Sequence, residues 1–325
     1  MKAIVCETLG PPENLVYKEV TSREPGPKEV LISVKACAIN FPDTLIIQGR
    51  YQMRPELPFT PGSDISGIIK AVGSEVKHFK EGDKVFGVLP YGGMAEQAVV
   101  SSRNVFPMPP EMSFEEGASF LYAYGTSLHA IKDRGQLKEG EKIAILGASG
   151  GVGLAAVDLA KTMGATVIAC ASTREKLDLC QQYGADHMVN YNDENLKDRL
   201  KEITEGKGVD VVYDPVGGDY AEQALRACAW RGRYLVVGFA AGSIPKLPLN
   251  LTLLKGCSIV GVFWGRFTKE QPQDNMANSL SIIQMHKEGK IKPHIQERYK
   301  LSEAPIALRK MMDRKVRGKV ILQIG

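Results

Sequence analysis

From Met1 to about Leu121 the apolar residues come in short runs, at 30–36, 67–72, 84–88 and 95–100, separated by Pro and Gly. Alternation with frequent turn residues predicts a small, mostly β domain. From about Tyr122 the texture changes. Apolar strands at 142–146, 166–171, 208–214, 233–238 and 258–263 now alternate with helical stretches. That pattern predicts a parallel sheet with helices on both faces, so the fold class is α/β, a β domain joined to a doubly wound sheet. After about Gly265 a helix over 275–287 and a strand over 318–324 are too little for a third core. The expected division is therefore 1–121, 122–265, and a segment 266–325 that returns to the first domain.

Between residues 137 and 164 a short apolar strand runs into Gly147-Ala148-Ser149-Gly150-Gly151-Val152-Gly153 and then into an apolar helix. A strand that ends in a tight glycine turn points the first free N–H groups of the helix at a pyrophosphate approaching bare backbone. The spacing departs from the strict G-x-G-x-x-G, with Ala148 where the first glycine would be. Context strengthens it: Val152, Ala155, Ala156, Leu159, Ala160 and Met163 repeat at helical spacing, small where a helix must lie close on a sheet. Gly164 stops the helix, and a second apolar strand at 166–171 completes a βαβ unit.

An enzyme selective for NAD carries Asp or Glu at the tip of that second strand, to bond the ribose hydroxyls. Here the tip reads Ala171-Ser172-Thr173-Arg174-Glu175-Lys176. A hydroxyl followed by two cations suits a 2′-phosphate through charge-assisted hydrogen bonds, so the expected cofactor is NADPH, with Lys176 in the phosphate site. The competing reading is a solvated helix start.

The length of 325 residues favours two domains, and 44% hydrophobic residues suffice for both cores. The net charge of +4 is small and dispersed, which argues against nucleic acid or membrane as a main partner. One dense basic run stands out, Arg309 to Lys319. Six scattered cysteines without a C-x-x-C pair read as reduced, buried thiols. With no signal-peptide pattern at the start and no apolar run near membrane-spanning length, a cytoplasmic protein is expected.

The stretches Ala36-Cys37-Ala38-Ile39-Asn40-Phe41-Pro42-Asp43, Pro61-Gly62-Ser63-Asp64, Asp214-Pro215-Val216-Gly217-Gly218 and Trp264-Gly265-Arg266, in this domain order, resemble the medium-chain dehydrogenase/reductase superfamily, and within it the zinc-free quinone oxidoreductases. The resemblance covers essentially the whole chain. It implies a GroES-like β domain, a Rossmann domain and an active site in the cleft between them. Zinc-dependent relatives carry Gly-His-Glu where this chain has Gly62-Ser63-Asp64, and a cysteine ligand where it has Asn40. The five histidines are dispersed without ligand spacing, so no metal is expected.

On the cofactor side the resemblance places the pyrophosphate turn on Ser149, Gly150, Gly151, Val152 and Gly153, and puts Thr126 at the start of the helix leading into the nucleotide domain. It places the 2′-phosphate contacts on Ser172 and Lys176, with Tyr191 and Arg314 near the same phosphate. Phe239, Phe263 and Trp264 are implied beside the nicotinamide; read without the family they are core or interface aromatics. On the acceptor side Asn40, Asp43 and Tyr51 match cleft positions. Asn40 can hydrogen-bond an acceptor oxygen and Tyr51 can donate a proton, while Asp43 either takes part or caps a helix beginning near Thr44.

The expected reaction is NADPH-dependent reduction of a quinone, most of the rate coming from holding nicotinamide against acceptor. Two alternatives stand beside it. One is reduction of an enone or enal, with Tyr51, Tyr91 or Tyr124 supplying the proton. The other is an NADPH-binding protein of low turnover that works through the basic surface at 309–319. The apolar strand at 258–264, expected at a sheet edge, invites a second copy, and the resemblance implies a homodimer joined there.

Overall fold

The computed structural model describes all residues, Met1–Gly325, which divide into two compact units. The first holds Met1–Tyr122 together with Pro293–Gly325, and the second Ala123–Lys292.

In the first unit the strands are β1 (Lys2–Val5), β2 (Val16–Glu19), β3 (Glu29–Ile39), β4 (Asp64–Val72), β5 (Lys84–Val88), β6 (Gln97–Ser101) and β7 (Val105–Pro107), with short helices α1 (Phe41–Ile46) and α2 (Phe114–Ala118). β3 is the organising element: it pairs antiparallel with β4 along most of its length, with bulges near Leu31 and Val34, and with β6 over its first half. Its burial covers both faces, because Ile32, Val34 and Cys37 join one apolar cluster while Ala36 and Ala38 join another.

The helix α3 (Leu121–Leu128) carries the chain into the second unit and runs on into a π-helical turn over His129–Arg134. There follow β8 (Lys142–Leu146), α4 (Gly151–Thr162), β9 (Thr166–Ala171), α5 (Arg174–Gln182), β10 (His187–Asn190), α6 (Leu196–Ile203), β11 (Val209–Asp214), α7 (Tyr220–Ala227), β12 (Cys228–Val236), α8 (Asn250–Lys255), β13 (Ser258–Gly261), α9 (Trp264–Glu270) and α10 (Pro272–Lys287). The six strands form one all-parallel sheet in the order β10-β9-β8-β11-β12-β13. The order reverses at β8, the switch point where an open parallel sheet takes its ligand.

Back in the first unit, β14 (Ile295–Lys300), α11 (Ala304–Met312) and β15 (Lys319–Gln323) extend the β3 sheet, with β15 antiparallel to β3. The return thus begins at Pro293, not after Gly265. Residues 266–292 stay with the second unit because their polar groups are bound there. Asn278 accepts from Lys132 and donates to Asp133, and Lys292 N donates to Asp158.

Candidate active site

The glycine turn is built as the sequence requires. Gly147 leaves β8 at φ +57°, Gly150 is the N-cap of α4 without any side-chain cap, and the first turn of the helix is Gly151-Val152-Gly153. Its N–H groups therefore have no capping partner and are free to meet an anion. Gly153 is where the fit is tightest: a Cβ there would lie 2.2 Å from Gly147 O and 2.9 Å from Ala148 Cα. Ser149 is buried within the turn, and Ser127 Oγ on α3 donates to Val152 O at 2.8 Å. These features fit a pyrophosphate. Thr126 lies near the C-terminal end of α3, since that helix already begins at Leu121, and not at its start as the sequence suggested.

At the tips of β9 and β10 a second cluster forms. Lys176 Nζ donates to Ser172 Oγ at 3.0 Å, and Asn192 Nδ2 donates to Ser172 O at 2.9 Å. The Tyr220 hydroxyl reaches Asn192 at 3.3 Å, and the Tyr191 and Tyr220 rings pack with centroids 4.3 Å apart. Thr173 caps α5 by accepting from Lys176 N, which places the lysine on the first turn, facing back to the strand tip. Neither Asn192 nor Tyr220 sits in a motif: the parallel pairing of β10 with β9 brings Asn192 to Ser172, and Tyr220 joins through Asn192. Arg174 instead turns to Asp178, an i,i+4 pair on the exposed face of α5.

The loop after β11 is held by one carboxylate. Asp214 Oδ1 accepts from Val216 N at 2.7 Å and Gly217 N at 2.8 Å, while Oδ2 takes the Tyr234 hydroxyl. Gly217 and Gly218 then run at positive φ, with the Phe239 ring against Gly217. Phe263 is exposed and Trp264 is buried as the first residue of α9, its ring on Gly125. β13 ends at Gly261, so the strand expected to run through 264 is shorter. The chain leaves the sheet there because Trp264 buries its ring against α3.

In the first unit Asn40 is the N-cap of α1. Asp43, at the third position of that helix, accepts Asn40 N on Oδ2 at 2.7 Å and Gly62 N on Oδ1 at 3.3 Å. Both oxygens of Asp43 are thus spent on backbone, and α1 begins at Phe41, earlier than Thr44. Burial pushes the Asp43 carboxyl up to about 6. The Asn40 side chain faces inward: Lys319 Nζ donates to its Oδ1 at 2.6 Å, and Nδ2 is buried without a hydrogen-bond partner. Asp64 beside it is fully buried and pushed up to about 7, Lys319 opposing the shift. Tyr51 is half-buried and hydrogen-bonds Tyr122, whose hydroxyl burial holds well above the usual tyrosine range. Of the other candidate proton donors, Tyr124 is bound to Asp158 at 2.7 Å inside the second unit, and Tyr91 is exposed with its ring edge-on to Phe59. Arg314 follows α11 in the first unit at φ +59°.

No three His, Cys, Asp or Glu side chains converge to hold a metal ion, all six cysteines are free and buried, and no helix is long and apolar enough to cross a membrane. In the basic run, Arg309 is paired with Glu13, Lys310 with Glu297 and Lys315 with Asp313, while Lys319 is buried. Local acids answer most of these cations, leaving little free charge for a polyanion.

A mostly β unit and a parallel-sheet unit with a glycine turn at its switch point define a nucleotide-dependent dehydrogenase or reductase. Residues 26–110 match the alcohol dehydrogenase GroES-like domain and residues 151–281 the zinc-binding dehydrogenase family. Along 99% of its length the chain is 40% identical to quinone oxidoreductase-like protein 2 of Bos taurus, covering 92% of that protein. It is 35% identical to quinone oxidoreductase of Sus scrofa over 99% of this chain and 97% of the relative. The crystal structure of Escherichia coli quinone oxidoreductase complexed with NADPH superposes with a TM-score of 0.94 at 30% identity, covering 99% of this chain and all of that one. The chain belongs to the quinone oxidoreductase family of the medium-chain dehydrogenase/reductase superfamily.

Proposed function

We propose that the chain reduces a quinone with NADPH, without zinc, the second unit holding the nucleotide and the first unit supplying the acceptor side. The observation that carries the cofactor is the Lys176–Ser172 pair at the tip of β9, where no carboxylate stands to receive a 2′-hydroxyl. When bound, the cofactor supplies a hydride. The protein's part is to seat the pyrophosphate on Gly151, Val152 and Gly153, the 2′-phosphate on Ser172 and Lys176, and the nicotinamide side near Phe239 and the Asp214–Gly218 loop. Thr126, Tyr191, Phe263, Trp264 and Arg314 complete the assignment that the family resemblance suggests. Asn40 and Ser63-Asp64, at the positions where zinc-dependent relatives carry ligands, support the metal-free reading.

A quinone that takes a hydride becomes a hydroquinone anion and needs one proton on oxygen. We assign this proton to Tyr51, and its hydrogen bond with Tyr122 supports that role, since Tyr122 would then stabilise the phenolate left behind. Most of the rate comes from alignment, so Tyr51→Phe is expected to lower kcat several-fold without abolishing it.

The deciding assay is NADPH oxidation by an ortho-quinone compared with a simple α,β-unsaturated ketone, with NADH as control donor. Turnover of the ketone alone would move the chain to the alkene reductases. Lys176→Ala is expected to weaken NADPH about tenfold and leave NADH within twofold, as loss of one charge-assisted contact implies. An unchanged NADPH/NADH affinity ratio would place the phosphate elsewhere.

We also propose a homodimer through the β13 edge. That edge strand has no partner on its outer side, and the segment just before it exposes Leu249, Leu253 and Leu254, with exposed Trp230 against Gly256; Leu253 is 79% exposed. Such a patch beside an open ladder suits a second copy of the same surface. Sedimentation at micromolar concentration is expected to give a dimer, and Leu253→Glu a monomer; a wild-type monomer would remove the idea.

A further inference from the structure

Of the 41 lysines and arginines, Lys319 at the start of β15 is the only one that is buried, 3% exposed. Its ammonium donates to Asn40 Oδ1 at 2.6 Å and lies 3.4 Å from Asp64 Oδ2. It therefore ties together three segments that meet nowhere in the sequence: β15, the N-cap of α1 and the start of β4. Lysine has donors but no acceptor, so the contact also fixes which end of the Asn40 amide faces it. Asn40 N in turn holds Asp43, and Asp43 holds Gly62 N. Gly62 has no slack, since a Cβ there would lie 2.7 Å from Met94 N and 2.9 Å from Cys37 Sγ, with φ at +95°.

We propose that Lys319 is a positioning residue of the acceptor site: its buried ammonium clamps Asn40 and Asp64, holds α1 and the Tyr51 that follows it, and balances the buried carboxylates of Asp43 and Asp64. Removing a buried partner leaves an uncompensated charge, which is why a cation at this place does more than an exposed one. The groups that share its field are Asp43 on α1, Asp64 on β4 and Cys37 on β3, and the same two carboxylates act on Tyr122, the partner of Tyr51. The His294 carbonyl takes the backbone N–H of Lys319, and Arg317 lies two residues before it, acting on the His294 ring. The inference rests on the reading of Tyr51 as the hydroxyl that faces the acceptor.

Lys319→Met tests it in the full-length protein. Expected are a kcat for ortho-quinone lowered several-fold, as in Tyr51→Phe, an NADPH Kd by fluorescence titration within twofold of wild type, and a shifted pH profile. Lys319 lowers the pKa of both Asp43 and Asp64. Without it they keep their protons to higher pH, so the midpoint near neutrality in kcat/KM is expected to move upward, while Lys319→Arg leaves it in place. A role confined to packing would lower kcat at every pH and leave the midpoint fixed, which overturns the inference. If Lys319→Met does not fold, Lys319→Met/Asp64→Asn removes the cation and its counter-charge together and carries the same kcat and Kd expectations; wild-type kcat in that variant also overturns it. Full kcat in Tyr51→Phe means that the acceptor-side reading itself has failed. A loss in Tyr51→Phe beside an unaltered Lys319→Met overturns the role of Lys319 alone.

Discussion

Gly153→Ala is expected to abolish tight NADPH binding and quinone turnover together. Helix α4 crosses the end of β8 so closely that even one methyl group would sit 2.2 Å from Gly147 O, less than the sum of van der Waals radii by about an ångström. The carbonyl is backbone in a turn already at positive φ, and it cannot swing away as a side chain would. The helix must then slide off the strand, carrying the first-turn N–H groups away from the pyrophosphate. Overpacking of this kind costs about 1–3 kcal/mol in stability, and the displaced N–H groups add a loss of affinity that we place at a hundredfold or more. Isothermal titration with NADPH, with a melting curve of the same sample, separates the two. Near-normal affinity in a folded Gly153→Ala protein would mean that the nucleotide does not use this turn. The contrast is Gly150→Ala, whose Cβ would meet Gly147 O at 3.3 Å, a contact that a small backbone adjustment relieves.

The second large effect is expected at Asp214. Its carboxylate is buried and accepts three donors, Val216 N, Gly217 N and the Tyr234 hydroxyl, so Asp214→Ala strands all three. Each unpaired buried donor costs about 1–3 kcal/mol, and the total is a substantial part of the stability of a domain of this size. A fall in Tm of about 10 °C or more is expected by calorimetry, with the 215–218 loop newly open to proteolysis. Tyr234→Phe removes one donor and one partner together and is expected to lose much less. A drop in Asp214→Ala no larger than that in Tyr234→Phe would show that the loop does not depend on its carboxylate. Because burial raises the Asp214 pKa, the folded state favours its protonated form more than the unfolded chain does. Its titration therefore withdraws stability as pH rises through the folded value, and Asp214→Asn is expected to flatten that part of the pH dependence.

The parts of this protein that the sequence made legible are those governed by local rules. Strands 84–88, 142–146 and 166–171 were readable to the residue, because alternation, unbroken apolar runs and flanking glycines act over a few positions. So were the glycine turn, with its small-residue helix, and the absence of an acid after β9, which together carried the cofactor. Helix α1 was half-legible: the sequence offers Asp43 as the cap of a helix beginning near Thr44, whereas the helix starts at Phe41 and Asp43 accepts Asn40 N from its third position.

What the tertiary structure decided depends on contacts between distant segments. Nothing around Lys319 in Arg317-Gly318-Lys319-Val320 distinguishes it from a solvated lysine, and it belonged to a run read as a basic surface. It is buried because β15 pairs with β3, in a register that brings Val320 opposite Ile39 and so lays Lys319 beside Asn40. The same logic hides Asn192, which reaches Ser172 through the parallel pairing of β9 and β10, and Tyr220, which bonds Asn192, and it turns Tyr124 from a candidate acid into a bound partner of Asp158. Local propensity is written in neighbours along the chain, whereas burial of a charge is set by the register of strands hundreds of residues apart, and no short window of sequence contains it.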